Sequence, residues 1–345
     1  MPWSLIGAGQ AKRSLGGMIK RGRLPHAVLV TGPKGGGKKT FALDLARAVN
    51  CQNPDEDGSP CGVCLSCRKI EHGNHPDVSV LSPRGRGAHI PVELVRELRE
   101  SLNFVPYEGN CKVSLILSAE ALNTDSGGAL LKTLEEPAPR TLIILTAVAP
   151  TMILGTLRSR CVNLKIPPLS RLDLSRVLKE KRGLRGPAAA LLSGLSRGAL
   201  GRAMEIDVHR AAALWGSLEK IFGESTRAGR LRAAGDLSRE LAEEISQTIK
   251  EKTVAGEEDL FDIEIVDLFE AAVRLWFRDA GVLNATAAPA LLEGPPPGES
   301  MIRFARTMSP AAAAAAEEAV TRLLDVLSRF IRADLAFQDF WLSVL

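Results

Sequence analysis

One stretch constrains the fold more than any other: Gly32-Pro-Lys-Gly-Gly-Gly-Lys-Lys-Thr40. It follows a short apolar run, Ala27-Val-Leu-Val30, and precedes an amphipathic segment, Thr40 to Asn50, with Leu43, Ala46 and Val49 at helical spacing. A strand, a glycine loop and a helix in that order form a phosphate cradle, because loop and helix N-terminal N–H groups converge on an anion. Gly32, Gly35, Gly37 and Lys38 fit the phosphate-loop pattern, in which Lys38 adds positive charge. The next position calls for a Ser or Thr hydroxyl to ligate Mg²⁺, and here it is Lys39. Thr40 comes one residue late. A shifted register fails, because Pro33 and Lys38 would then occupy the two glycine positions. The cradle is therefore expected with its metal ligand replaced.

At 345 residues and 45% hydrophobic content, the chain can bury two or three cores. The 44 basic and 40 acidic residues leave a net charge of +4, so total charge makes no case for a nucleic-acid field. Aromatics at 4% argue against a base-stacking surface. Met1-Pro-Trp-Ser4 lacks the charged and apolar regions of a signal peptide, and the apolar run Leu142 to Pro150 is too short to span a bilayer. The expectation is a soluble, cytoplasmic protein with no membrane partner, in which the six cysteines serve as metal ligands or core residues rather than disulfides.

Four of those cysteines follow the loop helix as C-x9-C-x2-C-x2-C: Cys51, Cys61, Cys64 and Cys67. Thiolates at this spacing in a short polar insertion suit a closed, tetrahedral, structural zinc site. The intervening Gln52 to Pro60 stretch could not build a core alone, so a metal staple there has a structural purpose. His72 and His75 lie close by and read as surface residues, since four thiolates already complete the site.

The remainder of the first half alternates strands and helices. Asp77 to Leu81, Lys112 to Leu117, Thr141 to Thr146 and Val162 to Ile166 read as strands. The helices begin near Pro91 and Asn123, with Val92, Val95, Leu98, Leu102, Leu130, Leu131 and Leu134 facing inward. Arg23, His26, Arg84 and Arg86 read as solvated loop residues. This is an open, mostly parallel α/β sheet with the phosphate loop after its first strand. Beyond Pro167-Pro168 the pattern is helical, interrupted at Gly294-Pro-Pro-Pro-Gly298, and Ala311 to Leu345 reads as one long amphipathic helix.

These residues resemble a known family. Gly22-Arg-Leu-Pro-His26, the phosphate loop, the four cysteines, Asn123, Ala129-Leu-Leu-Lys-Thr-Leu-Glu-Glu-Pro137 and Leu157-Arg-Ser-Arg-Cys161 are similar to bacterial DNA polymerase III clamp-loader subunits of the AAA+ class. The resemblance covers residues 3 to 205 best. It implies a P-loop AAA+ α/β domain with its zinc module (1–168, module 51–67), a small helical lid (169–207) and an all-helical oligomerisation collar (208–345). It also implies ATP or ADP as ligand of the motor subunits, with other loader subunits (ATPase motor and delta), the sliding clamp and primer–template DNA as partners.

Motor subunits of that family carry Gly-Lys-Thr, an Asp-Glu pair after the third strand to hold Mg²⁺ and orient water, and a lid arginine. This chain has Gly37-Lys38-Lys39, Ser118-Ala119 with Glu120 one place late, and Gly201 beside Arg202. It therefore looks like the delta-prime, non-hydrolysing type. Arg160 then looks like an arginine finger acting in trans on a neighbouring subunit's γ-phosphate, whereas Arg158 reads as structural and Cys161 as core. Whether the loop still holds nucleotide stays open: Lys38 and the glycines can bind phosphate without Mg²⁺, and Lys39 can sit where the cation would. Two alternatives remain at this stage, an active ATPase motor of the same family and a zinc-dependent DNA-binding protein.

Overall fold

The computed structural model describes residues 3–83, 89–254, 264–328 and 332–345. Arg84, Arg86, Phe330 and Ile331 lie outside the described residues. The chain forms two compact units, Met1–Pro168 and Leu169–Leu345.

In chain order the first unit contains α1 (Gly9–Lys20), β1 (Ala27–Thr31), α2 (Lys38–Asn50), α3 (Leu65–Glu71), β2 (Val78–Leu81) and α4 (Val92–Leu102). It continues with β3 (Lys112–Ile116), α5 (Thr124–Glu135), β4 (Thr141–Ala147), α6 (Gly155–Arg158) and β5 (Val162–Lys165). The strands form one five-stranded sheet in the order β2-β3-β4-β1-β5, parallel throughout. This is an open, parallel α/β sheet with the glycine loop directly after its first strand. Parallel pairing needs helical crossovers, and crossovers cover both faces, so the inner strands must be apolar on both sides. Every residue of β1 and β4 is buried accordingly, whereas the edge strand β5 is largely exposed.

The two-residue period of the strands divides the core. Ala27, Leu29, Ile143 and Leu145 face a cluster with Val95, Leu98 and Leu102 of α4 and Leu130 and Leu134 of α5. Val28, Val30, Leu142 and Ile144 face the opposite cluster, with Leu15 of α1, Phe41 and Leu45 of α2 and Ile70 of α3. Val92 and Leu131 are half-buried at the margins of their helices. In α2 the deepest face is Phe41-Ala42-Leu45-Ala46, with Leu43 and Val49 flanking it half-buried.

The second unit is helical: α7 (Arg171–Arg182), α8 (Gly186–Ser196), α9 (Leu200–Glu205), α10 (Val208–Gly223), α11 (Arg227–Val254), α12 (Glu264–Thr286), α13 (Glu299–Thr307), α14 (Pro310–Ser328) and α15 (Ala333–Val344). One hydrophobic core runs from Leu174 to Trp341, centred on the fully buried Trp276, whose ring stacks on Phe222 at 5.3 Å. The proline break at 294–298 is held by the buried Asp279 carboxylate, which accepts from the N–H groups of Glu293 and Gly294 at 3.1 and 2.8 Å. The long helix expected over 311–345 is instead two helices, α14 and α15, packed on each other. Arg332 precedes α15 with extended backbone, φ −50° and ψ 118°. Folding back brings Phe337, Phe340 and Trp341 into the same core as Leu323, burial that one straight helix could not achieve.

His75 also departs from expectation, being 3% exposed. Its Nε2 lies 3.1 Å from Ser66 Oγ, and its Nδ1 accepts from the Asp77 N–H at 3.1 Å. Burial lowers its pKa against the opposing pull of Glu108 and Asp77. Asp77 is buried beside it and accepts from three consecutive backbone N–H groups, those of Tyr107, Glu108 and Gly109, at 2.6, 2.9 and 2.8 Å. Burial would raise the Asp77 pKa, but these donors outweigh it and the net shift is downward. A depressed carboxylate pKa means that the stabilisation is complete above the unfolded value of about 3.9 and disappears as pH falls through the folded value. Asp77→Asn is therefore expected to cost about 2–4 kcal/mol at neutral pH in urea denaturation of the whole chain. The loss should shrink below about pH 4, and a variant as stable as the parent at pH 7 would refute this role.

Candidate functional site

The phosphate loop leaves the carboxyl end of β1, the strand held between β4 and β5. In open α/β sheets that edge is where ligands bind. Gly32 N–H donates to Ala147 O of β4 at 3.2 Å, so the loop starts from a fixed point. A Cβ at Gly32 would lie 2.7 Å from the Ile166 carbonyl oxygen, which leaves no room for another residue. Gly35 and Gly37 have φ of 72° and 85°, the left-handed region that favours glycine. Phe41 N–H then donates to Gly37 O at 2.9 Å and closes the first turn of α2. No side chain caps that helix, so its leading N–H groups remain available for an anion.

Lys38 folds back over the loop and its Nζ donates to Gly32 O and Pro33 O, both at 2.9 Å. Burial lowers its pKa, and attraction to the Glu120 carboxylate acts in the opposite direction. One Glu120 oxygen is buried without a hydrogen-bond partner among the described residues. Lys39 and Thr40 are exposed. Ser118, at the carboxyl end of β3, has φ 51° and its N–H donates to Thr146 Oγ1 at 3.0 Å; Ala119 is buried. The loop therefore has the shape of a phosphate cradle, while Lys39, Ser118 and Ala119 provide neither the hydroxyl nor the acidic pair that hold Mg²⁺ and orient water.

The four cysteines converge. The Sγ atoms of Cys51, Cys61, Cys64 and Cys67 all lie within 4.8 Å of one another, so the group could hold a metal ion. Tetrahedral bonds of about 2.3 Å would set sulfurs about 3.8 Å apart, within that envelope. Backbone N–H groups aim at the sulfurs: Cys61 at Cys51 Sγ (3.2 Å), Cys64 at Cys61 Sγ (3.4 Å) and Cys67 at Cys64 Sγ (3.5 Å). Burial pushes the Cys51 and Cys67 thiols up. At Cys64 burial also acts upward, but N–H groups of Cys67 and Gln52 prevail and bring it down to about 6. The module packs on α1 at a close backbone approach, where a Cβ on Gly16 would lie 2.2 Å from Asp57 O. His75 does not join the cluster, and its bond to Ser66 Oγ instead fixes α3 from behind.

Arg160 lies in the turn between α6 and β5. Its guanidinium bonds Glu135 Oε1 at 2.5 Å and Thr156 O at 3.0 Å. The two side chains of the pair are 36% and 49% exposed, so the pair contributes roughly 0–1 kcal/mol. Strand pairing decides what Arg160 can reach. Val162 aligns with Val28 and Lys165 with Thr31, so Arg160 stands at the amino edge of the sheet and the phosphate loop at the carboxyl edge. The intervening paired residues span about 13 Å. Arg158 is exposed, with its guanidinium 3.5 Å from Pro150 O. Cys161 is half-buried against the core, and burial raises its thiol pKa to about 11. His26 is exposed, with Nε2 3.0 Å from Leu134 O. In the second unit, Gly201 lies in α9 and Arg202 donates to Asp267 O at 2.8 Å.

Residues 7–170 match the family described as DNA polymerase III, delta subunit. DNA polymerase III subunit delta′ of Yersinia pestis is 42% identical over 149 residues, 43% of this chain and 44% of the relative. Subunit delta′ of Escherichia coli is 35% identical over 188 residues, 50% of this chain and 56% of the relative. DNA polymerase III subunit tau of Salmonella typhimurium is 33% identical over 207 residues, 59% and 32% of the two chains. The chain thus matches about half or less of the length of these relatives. Among solved structures, a DNA polymerase III gamma subunit-related protein of Thermotoga maritima aligns with 96% of this chain and 98% of its own at 16% identity and a TM-score of 0.48. The resemblance read from the motifs is borne out over residues 7–170, which are similar to delta and delta′ subunits of DNA polymerase III. No helix among the described residues is long and apolar enough to cross a membrane.

Elemental analysis of the purified chain is expected to find roughly one zinc ion per molecule, since four thiolates complete one tetrahedral site. Cys67→Ser should lower that content and loosen residues 51–67 to proteolysis. A parent protein that is metal-free and equally protease-resistant with and without chelator would exclude a structural metal.

Proposed function

We propose that this chain is the non-hydrolysing, delta-prime-type subunit of a DNA polymerase III clamp loader, and that it supplies Arg160 in trans to a neighbouring ATPase. The observation that carries the proposal is the placement of Arg160: exposed, weakly paired, and on the sheet edge opposite its own phosphate loop. A guanidinium placed there serves a phosphate brought by another molecule, and Arg suits the task through its planar fork of donors. The lack of hydrolysis in the chain itself rests on Lys39, Ser118 and Ala119. Similarity to tau subunits raises the motor reading, but those same three positions count against it.

In this reading the cysteine group holds structural zinc, and residues 169–207 and 208–345 act as lid and oligomerisation collar. The motor and delta subunits are direct partners. The sliding clamp and primer–template DNA are engaged in the cytoplasm through the assembled complex, mainly by phosphate contacts.

The test is reconstitution with partner subunits and either parent chain or Arg160→Ala. The complex should assemble with both. With the variant, DNA-stimulated ATP turnover at the site that the arginine completes should fall by about 10³-fold, and clamp loading should fall with it. Unchanged turnover and loading would refute the role of Arg160. Separately, phosphate release by the pure chain that vanishes in Lys38→Ala would refute the non-hydrolysing assignment.

A further inference from the structure

The Arg160 guanidinium is bonded to three acceptors of its own chain. Its Nη2 donates to Glu135 Oε1 at 2.5 Å, and its Nη1 donates to Thr156 O and Ser159 Oγ at 3.0 and 3.3 Å. Arginine offers five N–H donors in a planar fork. Among the described residues these bonds take three of the five, which leaves the Nε–H and one Nη2–H for oxygens arriving from outside. The elements that carry the pair are packed on each other. Glu135 is the last residue of α5, and α6 lies against that helix. Leu157 of α6 is fully buried, and a Cβ added at Gly127 of α5 would lie 2.5 Å from Leu154 Cδ1.

Local preference argues against an acid at position 135. The carboxyl end of a helix carries partial negative charge and favours cations, yet α5 ends in Glu135 with Glu136 as its cap. The pair with Arg160 gives little stability in return, because both side chains are substantially exposed. A residue that breaks a local rule without a gain in stability marks a place where function decides. We propose that Glu135 is the positioning residue of Arg160: its carboxylate, with Thr156 O, fixes the guanidinium in one orientation before a neighbouring subunit's phosphate arrives. This rests on the reading of Arg160 as a group that acts in trans. An unrestrained arginine would lose its rotamer freedom on meeting the phosphate, whereas one already bonded to Glu135 has lost part of it in advance.

DNA-stimulated ATP turnover by complexes reconstituted with the ATPase and delta subunits tests the proposal. Glu135→Ala should lower kcat roughly three- to tenfold, the effect of leaving one side chain unordered. KM for ATP should stay unchanged, since the interaction is made in the transition state. Glu136→Ala makes the same change one residue on, at an exposed position outside the pair, and should behave as the parent. In an Arg160→Ala background, Glu135→Ala should have no further effect. Position 135 is exposed and alanine is a good helix former, so the variant should fold, and thermal unfolding verifies it. Turnover by Glu135→Ala equal to or faster than the parent, a change confined to KM, a matching loss in Glu136→Ala, or the same loss with Arg160 absent would each overturn the positioning role. Unchanged turnover in Arg160→Ala alone would instead overturn the reading of Arg160, and the positioning role with it, so the two failures are distinguishable.

Discussion

The pairing of β1 between β4 and β5 is the constraint on which the first unit depends. A strand hydrogen-bonded on both sides and covered on both faces has no freedom of register, because a slip of one residue would exchange its two apolar faces. Gly32 leaves such a strand at a defined point and is tied to Ala147 of the neighbouring strand. The conformation of the loop, the start of α2 and the position of Lys38 all follow. The same pairing fixes the far edge, where Arg160 enters β5. One central strand thus sets the positions of both the glycine loop and Arg160, at opposite edges of the sheet.

Polar anchors of one kind recur around this frame. Asp77 gathers three successive N–H groups from 107–109, and Asp279 gathers two from 293–294. In each case a buried carboxylate secures a loop that carries no regular structure, satisfying donors that would otherwise be costly to bury. His75 belongs to the first of these anchors. Through Ser66 it connects the cysteine module to the loop held by Asp77, so the module is braced by hydrogen bonds as well as by its thiols. The exposed Lys69–Glu108 pair, at 2.6 Å, spans the same two segments from outside.

Much of the first unit was legible in the chain because its signals are local. The glycine loop, the cysteine spacing and the apolar strands each declare themselves within a short stretch of chain, and the structure places the strands and brings the four thiols together as expected. His75 was not legible. Its neighbours Asp77 and Ser66 are near in sequence, but its burial depends on residues 107–109 folding over it. The break before α15 was hidden for a related reason: both helices are amphipathic, and their patterns join into one plausible stripe until the core of the second unit requires Phe337 and Trp341 to return toward Leu323.

The sequence by itself determined the chemistry that is present and absent: a lysine in a glycine loop, four closely spaced thiols, no hydroxyl at position 39 and no acidic pair at positions 118 and 119. Residue identity and short spacing are sufficient for that, since ligands and charges are properties of side chains. Only the tertiary structure decided direction. Strand order and parallel register put Arg160 and the phosphate loop at opposite ends of the sheet, and long-range pairing of this kind leaves no short-range trace in the chain.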